Sequence, residues 1–501
     1  MQKFLSVTIC VLILSTGLSY GRREPLANEG KSGLYARSMR QILRTEPEEV
    51  DLATAVLIVS EQWSDMVHGR RYISKLDDMA FEIRIRLGSK KLKANHKAIA
   101  VINKYLFDEL GFKSVPEAND PNDLFLHSVL DRKRGYCLSL SILYLSLGER
   151  LGLPLYGVVV PGHFFVRYDD GRVRFNIETT SKGGFADDEH YIKKFKVPEG
   201  DNDSIYMENL NKIQTLGCLF NNLGNSYNDI GDTESALETL EKAVEINPLL
   251  AESHTNLGNV YLREGRTKDA ISEYEMALKI NPSDAKTHNN LGNAYTKQGW
   301  LNDAISEYIQ SLELDPNFID AYKNLANVYC RKEMFEPALT QLKRALIWEP
   351  KNAELYSQLG SVYSQMCDYR EAIYHYQRAL MLKEDLADAY YGMAVCYNKQ
   401  GLVNDEIRAY KKALAIEPDM VAALANLGNA YFSKEKYDAA IEQYKKAIRI
   451  KPDDGTIHYN LGAAYANKGN YELAAKHIKT AERLGAEISD DLLDAIEDKL
   501  K

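Results

Sequence analysis

The chain has no surplus of positive charge. Its 501 residues carry 62 Lys and Arg against 71 Asp and Glu, a net charge of −9, so the electrostatic footprint of a nucleic-acid binder is missing. Long apolar runs are missing too. Phe4 to Leu14 falls short of the roughly 20 residues that span a bilayer. Cysteine is scarce: there are six, and Cys10 lies in that run. The other five, Cys137, Cys218, Cys330, Cys367 and Cys396, form no CxxC pair and no zinc-ligand spacing. Their odd number argues against a complete disulfide framework. No metal site and no cofactor are expected. What remains, 45% apolar and 27% charged residues, is an ordinary globular balance with room for several domains.

The first residues carry a targeting pattern. Lys3 precedes the apolar run, and small and polar residues follow to Ser19-Tyr20-Gly21. Residues 1–21 therefore read as a secretory signal cut near Gly21, with an uncleaved anchor as the alternative. Export to the periplasm or the extracellular space is the expectation.

The second half is one unit copied. Pro248, Pro282, Pro316, Pro350, Pro418 and Pro452 stand 34 residues apart or at twice that step, with Glu384 on the missing rung. Leu-Gly pairs keep the same step from Leu223-Gly224 to Leu461-Gly462, and a Tyr follows each Gly, or the Ala that replaces it, by three residues. A small residue recurs twelve positions after the Gly, as at Ala236, Ala270 and Ala304. Apolar residues at three- and four-residue steps make each unit two amphipathic helices, such as 251–263 and 267–280, with Pro ending the second. This pattern resembles the tetratricopeptide repeat (TPR) family. It implies eight repeats over 217–488, stacked into an all-α solenoid because no single hairpin can bury its own face. Residues 489–501 are expected as a capping helix, with Asp490 and Asp491 at its start and Lys499 and Lys501 at its end, matching the helix dipole.

One residue before each Leu-Gly stands Asn222, Asn256, Asn290, Asn324, Asn426 or Asn460, while Gln358 and Gly392 break the row. Side-chain amides both donate and accept, so such a row suits the backbone of an extended peptide. The resemblance places this row on the concave face and implies a protein or peptide partner. His254, His288 and His458 share one repeat position where the family usually has an aromatic ring, and they read as packing residues, as do Cys330 and Cys396.

Residues 48–184 form another domain. Three segments of helical spacing lead to a turn at Asn119-Asp120-Pro121 and to Leu138–Leu151, an apolar stretch expected as a buried helix. Strands follow at "LYGVVVPGHFFVRYDD" and "RVRFNIETT". Cys137 would open the buried helix, where unpaired backbone N–H groups and the dipole favour a thiolate and Gly135 allows close approach. The Cys137 N–H would suit an oxyanion hole. Asp170-Gly171 is a two-residue hairpin signal. That turn sets Phe164 opposite Ile177, Val166 opposite Phe175 and His163 opposite Glu178, with facing Cβ atoms about 5 Å apart. It also sets Arg167 against Arg174, a like-charge pair that strains the register. His68, His96, His127 and His190 have no evident partner. Residues 22–47 and 185–216 read as linkers or packing arms, and 185–216 is set down as a linker.

A Cys, then a His, then an acid on the next strand resembles the transglutaminase-like, papain-related thiol domains. "INKYLFDELGF", "DPNDLFLHSVLDRKRG", "LSLSILYLSLGERLGLPLYGVVVPGHFFVRY" and Gly183-Gly184 are similar to the SirB1-type branch. The resemblance implies an α+β fold for the N-terminal domain, with Cys137 as nucleophile, His163 as general base and Glu178 as the orienting acid, where the superfamily usually has Asp. Two functions follow. One is an exported cysteine hydrolase or acyltransferase acting on an amide or ester of a protein or peptide. The other is a binding scaffold without chemistry. Neither calls for nucleic acid, or for a membrane beyond the signal.

Overall fold

A computed structural model describes residues 25–64, 66–116, 120–198 and 205–500. The signal expected over 1–21 lies outside them. The chain divides between Pro282 and Ser283 into two compact units. Among the described residues no helix is long and apolar enough to cross a membrane.

The first unit is α+β before its repeats begin. Helices α1 (Leu52–Trp63), α2 (Gly69–Ser89), α3 (Ala98–Asn103), α4 (Leu126–Arg132) and α5 (Cys137–Leu151) precede a four-stranded antiparallel sheet. Its strands are β1 (Leu155–Val160), β2 (His163–Asp169), β3 (Arg174–Glu178) and β4 (Gly184–Ala186), in that order, and α6 (Asp188–Phe195) follows. Of the fifteen residues of α5, all but Glu149 are buried. The helix packs on the sheet face formed by Phe164, Val166, Tyr168 and Ile177, as its unbroken apolar run requires.

The β2–β3 register differs from the expected one by two residues. Val166 pairs with Ile177, Arg167 with Asn176, Tyr168 with Phe175 and Asp169 with Arg174. The physical reason is the like-charge clash: the shift replaces Arg174 by Asn176 opposite Arg167. The longer loop is held by Asp170, whose carboxylate accepts from Arg172 N at 2.9 Å and Val173 N at 2.8 Å. A two-residue shift keeps every side chain on its predicted face, because the strand period is two.

The described residues of 185–216 pack on the domain and do not form a linker. Phe185 and Ala186 pair with Ile177 and Asn176 as β4, α6 follows, and Met207 N and Leu210 N bond to the Val159 and Gly157 carbonyls along the free edge of β1. The tie is Arg167, a guanidinium with 0% side-chain exposure. It donates to Asn176 Oδ1 at 2.8 Å, Asp188 Oδ1 at 2.7 Å and the Met207 carbonyl at 2.6 Å. Residues 25–47 likewise pack as an arm: Ala27 N donates to the Arg150 carbonyl, Asn28 donates to Asp51, and Ile42 is fully buried.

The repeats are helix pairs, beginning with Lys212–Asp229 and Thr233–Ile246 and ending with Gly455–Asn467 and Tyr471–Arg483. Their Leu-Gly glycine has a steric cause. A Cβ on Gly258 would sit 2.7 Å from the Tyr274 ring, and one on Gly428 would sit 2.4 Å from Tyr444. The ring of the second helix lies on the bare backbone of the first. The repeat histidines act as clasps: His254 and His458 each place Nε2 at 3.0–3.1 Å from the carbonyl of the preceding Pro, where Tyr322 uses its hydroxyl for the same bond. Helix Asp490–Leu500 follows the last repeat and buries Ile496 in its core.

Arg167 makes a stability prediction. Asp188→Ala removes the carboxylate bonded to this buried guanidinium, and since Asp188 is itself 43% exposed this should cost the N-terminal unit about 2–3 kcal/mol. Urea unfolding followed by circular dichroism measures it. A loss under about 1 kcal/mol, the level of an exposed pair, would mean that Arg167 is not held by this bond.

Candidate active site

Cys137 is the first residue of α5, and its approach is fixed from both sides. Ser139 Oγ accepts from Tyr136 N at 2.9 Å and donates to the Asp123 carbonyl at 2.6 Å, which closes the first turn. Gly135 has no room for a side chain, since a Cβ there would lie 2.8 Å from Ser139 Oγ and 2.9 Å from Val129. Thr179, next to Glu178, donates to the Cys137 carbonyl at 3.4 Å and meets Ser141 Oγ at 2.9 Å. The helix that carries the thiol and the strand end that carries the acid are thus bonded to each other.

His163 is placed by a tight turn. Val160 pairs with His163 across Pro161-Gly162, and Gly162 takes φ +71, which Gly supplies at little cost. The imidazole sits between two partners. Its Nε2 lies 2.7 Å from Glu178 Oε2, and the Cys137 side chain lies close enough to the ring to favour its charged form. Thiol, imidazole and carboxylate therefore meet, although 26 residues separate the first two and 15 the last two. In the observed register Glu178 reaches His163 on the diagonal and not from directly opposite.

The carboxylate is fully engaged. Glu178 Oε1 accepts from Thr180 N at 3.1 Å and Thr180 Oγ1 at 2.5 Å, and Oε2 also accepts from Tyr191 OH at 3.1 Å. The Phe195 ring stacks on His163 with centroids 4.8 Å apart and planes 2° apart. Tyr191 and Phe195 both belong to α6, inside the segment expected as a linker, so sequence reasoning missed them. The available signal was the Tyr-x-x-x-Phe spacing at 191–195, one helical face. Gly183, in the resemblance segment, takes φ +75, and a Cβ there would lie 2.2 Å from Asn103 Oδ1. Asn103 donates to the Gly183 carbonyl at 2.8 Å and accepts from Tyr144 OH at 2.8 Å.

Electrostatics follow from these contacts. Burial opposes charge on the His163 ring, but the bonds to Cys137 and Glu178 outweigh it and push its pKa up to about 9. Burial likewise opposes ionised Glu178, yet His163 and the Thr180 hydroxyl and amide hold its pKa down at about 2. Cys137 is 5% exposed.

The second repeat touches this site. Its helix Ala251–Arg263 sends Glu252 to the turn before His163: Gly162 N donates to Oε1 at 3.4 Å, and Tyr206 OH donates to Oε2 at 2.9 Å. The six row asparagines are all half-buried. Asn256 donates to Asn221 at 2.9 Å, Asn324 to Asn289 at 3.0 Å, Asn426 to Tyr391 at 3.3 Å and Asn460 to Asn429 at 3.1 Å. Asn222 and Asn290 accept from Asn221 and Asn289 at 3.3 and 3.4 Å. The row is therefore not a line of idle amides: its donors stitch neighbouring repeats together. Among the described residues no cluster of three or more potential metal ligands occurs.

The His163–Glu178 pair predicts a pH window. The stability from His163 is complete below its ordinary value of 6.5 and is lost as pH rises through about 9. That from Glu178 is complete above 4.5 and is lost as pH falls through about 2. Glu178→Gln should therefore lower stability by about 2 kcal/mol at a pH between these ordinary values, and the deficit should shrink as pH is raised past the upper limit. Thermal unfolding across pH reads this directly. A deficit that does not vary with pH would show that the glutamine has disturbed packing, not charge.

Comparison with known proteins agrees with this architecture. The family model of the transglutaminase-like superfamily matches residues 70–217. Tetratricopeptide repeat models match 224–265, 258–299, 292–333, 353–386, 387–420, 428–469 and 455–484. A UPF0162 protein of Xylella fastidiosa is 32% identical over 123 residues, 24% of this chain and 43% of that protein. The match therefore spans less than half of that relative's length. A UPF0162 protein of Pseudomonas aeruginosa is 24% identical over 183 residues, 36% of this chain and 67% of that one. Among solved structures, MamA is 30% identical, covering 32% of this chain and 95% of its own, with a TM-score of 0.30. The fold class and the resemblance read from the sequence both stand: this chain carries a transglutaminase-like domain followed by an array of tetratricopeptide repeats.

Proposed function

We propose that the chain is an exported protein whose repeats hold a protein or peptide and whose thiol domain hydrolyses or transfers an acyl group on it. The observation that carries this reading is the single imidazole that is bonded to Glu178 at 2.7 Å and has the Cys137 thiol beside it. In the proposed reaction His163 holds the proton of the Cys137 thiol before attack, as an imidazolium beside the sulfur, and Sγ attacks an amide or ester carbonyl. The backbone N–H of Cys137, at the open end of α5, faces the charge that develops on the carbonyl oxygen. His163 returns the proton to the leaving amine or alcohol, and the C–N or C–O bond breaks. Water or a second amine then attacks the thioester, giving up its proton to His163, and Cys137 is released. Glu178 holds the ring in place and stabilises the imidazolium formed between the steps. Export rests on the pattern of residues 1–21. The concave groove rests on the asparagine row, whose side-chain amides can both donate to and accept from a peptide backbone.

The rival reading, two binding halves without chemistry, has one observation on its side: Cys137 is only 5% exposed. Thiol reactivity separates the two. Cys367 is exposed and is removed first as Cys367→Ser. Burial pushes the Cys218, Cys330 and Cys396 thiols up. In that background chloroacetamide should modify Cys137 at least about tenfold faster than those three, as read by peptide mass spectrometry, and His163→Ala should remove the preference. Uniform slow labelling would leave only the binding function.

For the groove, Asn290→Ala with Asn324→Ala should weaken capture of an extended peptide by about tenfold without changing helicity. Unaltered capture would remove the row from the binding surface.

A further inference from the structure

The second unit departs from its own repeat at one place, and the departure makes a hollow. Two amide positions recur on the first helix of each pair, one just before Leu-Gly and one just after. In most repeats both are Asn, as at Asn290 and Asn293 or Asn426 and Asn429. The second amide receives a tyrosine hydroxyl. Tyr308 OH donates to Asn293 Oδ1 at 2.7 Å, and Tyr444 OH donates to Asn429 Oδ1 at 2.7 Å. In the fifth and sixth repeats the same positions hold Gln358 with Ser361 and Gly392 with Val395. All four amide positions have changed at once, and Gly392 carries no side chain at all.

The consequence is a hollow of about 400 Å³ between helices Ala353–Gln365 and Ala387–Lys399. Its wall includes Gln358, Ser361, Tyr376, Asp388 and Tyr391. Tyr376 has no asparagine at the position its counterparts bond, and its hydroxyl lies over Gly392, 2.5 Å from where a Cβ would be. The side-chain oxygen of Gln358 is buried and has no donor. An unpaired buried acceptor is costly and calls for a donor. Asp388 is exposed and forms no ion pair among the described residues. No Lys, Arg or His among the described residues lines the hollow. The nearby Lys323 is held by Asp320 and Glu354, both at 3.3 Å. The unpaired Gln358 oxygen and the exposed Asp388 carboxylate are both acceptors, and they stand beside two aromatic rings.

We propose that this hollow is a specificity pocket for a basic side chain, arginine or lysine, of the extended peptide held by the repeats. The proposal rests on the groove reading above and adds a sequence preference to it. The amide row engages any backbone, whereas Asp388, Gln358 and the tyrosine rings select one cation. A guanidinium or ammonium supplies the donor that Gln358 lacks and the charge that Asp388 lacks.

The test uses the full chain and three fluorescein-labelled peptides of alternating Ser and Ala that differ in one central residue, Arg, norleucine or Glu. Fluorescence anisotropy should give the Arg peptide a Kd at least about tenfold below that of the norleucine peptide, with the Glu peptide weakest. Asp388→Asn should shrink the Arg preference below about threefold while leaving norleucine binding unchanged. Ser361→Asn, which restores the residue of the other repeats, should close the hollow with the same effect, and unchanged circular dichroism shows that the array is intact. Equal binding of the three peptides overturns the pocket and leaves the groove standing. An Arg preference that survives Asp388→Asn comes from the overall negative charge and also overturns it. If no peptide binds, the groove and its pocket fall together.

Discussion

A single buried guanidinium holds the candidate site in place. Arg167 is fully enclosed, so each of its bonds must be good for the charge to be tolerated there at all. Asn176 fixes the strand register, Asp188 fixes the start of α6, and the Met207 carbonyl fixes the segment that leads into the first repeat. Asn176 also donates to Asp188 Oδ1 at 2.7 Å, so the three side chains form one closed set. The register decides where Glu178 lies, and α6 brings Tyr191 and Phe195 onto the acid and the imidazole. None of these residues touches the thiol. They hold the groups that do, which is the support a site needs if its rotamers are to stay fixed.

This network also explains which features could be read from the sequence. The repeats were legible because eight copies of one pattern average out local ambiguity. The convergence of Cys137, His163 and Glu178 was legible because strand parity survives a register slip of two. The register itself was misread, and the warning was present: the tight turn at Asp170-Gly171 set Arg167 against Arg174. The correct pairing needs Asp170 to bond Arg172 N and Val173 N across a longer loop, a local side-chain contact that a turn-type rule does not contain. Residues 185–216 escaped because β4 is three residues long and α6 is eight. Elements that short owe their stability to what they pack on, not to their own pattern. The asparagine row was legible as a row, but its internal use was not, because the bonds run between residues 31 to 35 positions apart.

The site is as rigid as its chemistry requires and is nearly closed. Each oxygen of Glu178 accepts two bonds, one of them with the imidazole. Such a charge-assisted chain is strong where water is scarce. The thiol at its end is 5% exposed. The reacting carbonyl therefore has to arrive from the side where His163 and Glu178 keep 14% and 15% exposure. That side begins at the Pro161-Gly162 turn, which Glu252 of the second repeat also touches. In the first unit, then, the binding array and the thiol domain share a hydrogen bond at the turn that positions the base.

Repetition makes departures informative. In an array where Tyr308 and Tyr444 bond asparagine in the same way, a lone substitution at that position would be drift that neighbouring contacts absorb. Four linked changes at Gln358, Ser361, Gly392 and Val395 are different, because the Tyr376 hydroxyl lies in the space a side chain at Gly392 would take and an acceptor has been left bare in the wall. A solenoid gains little stability from such a break, since each repeat is held by its neighbours and a missing amide tie weakens two interfaces at once. A hollow that costs stability, carries unspent acceptors and faces no cation of its own is physically reasonable only if something outside the chain completes it. The same logic applies to the thiol domain, where an imidazole held between a thiol and a fully bonded carboxylate is more organised than packing alone demands.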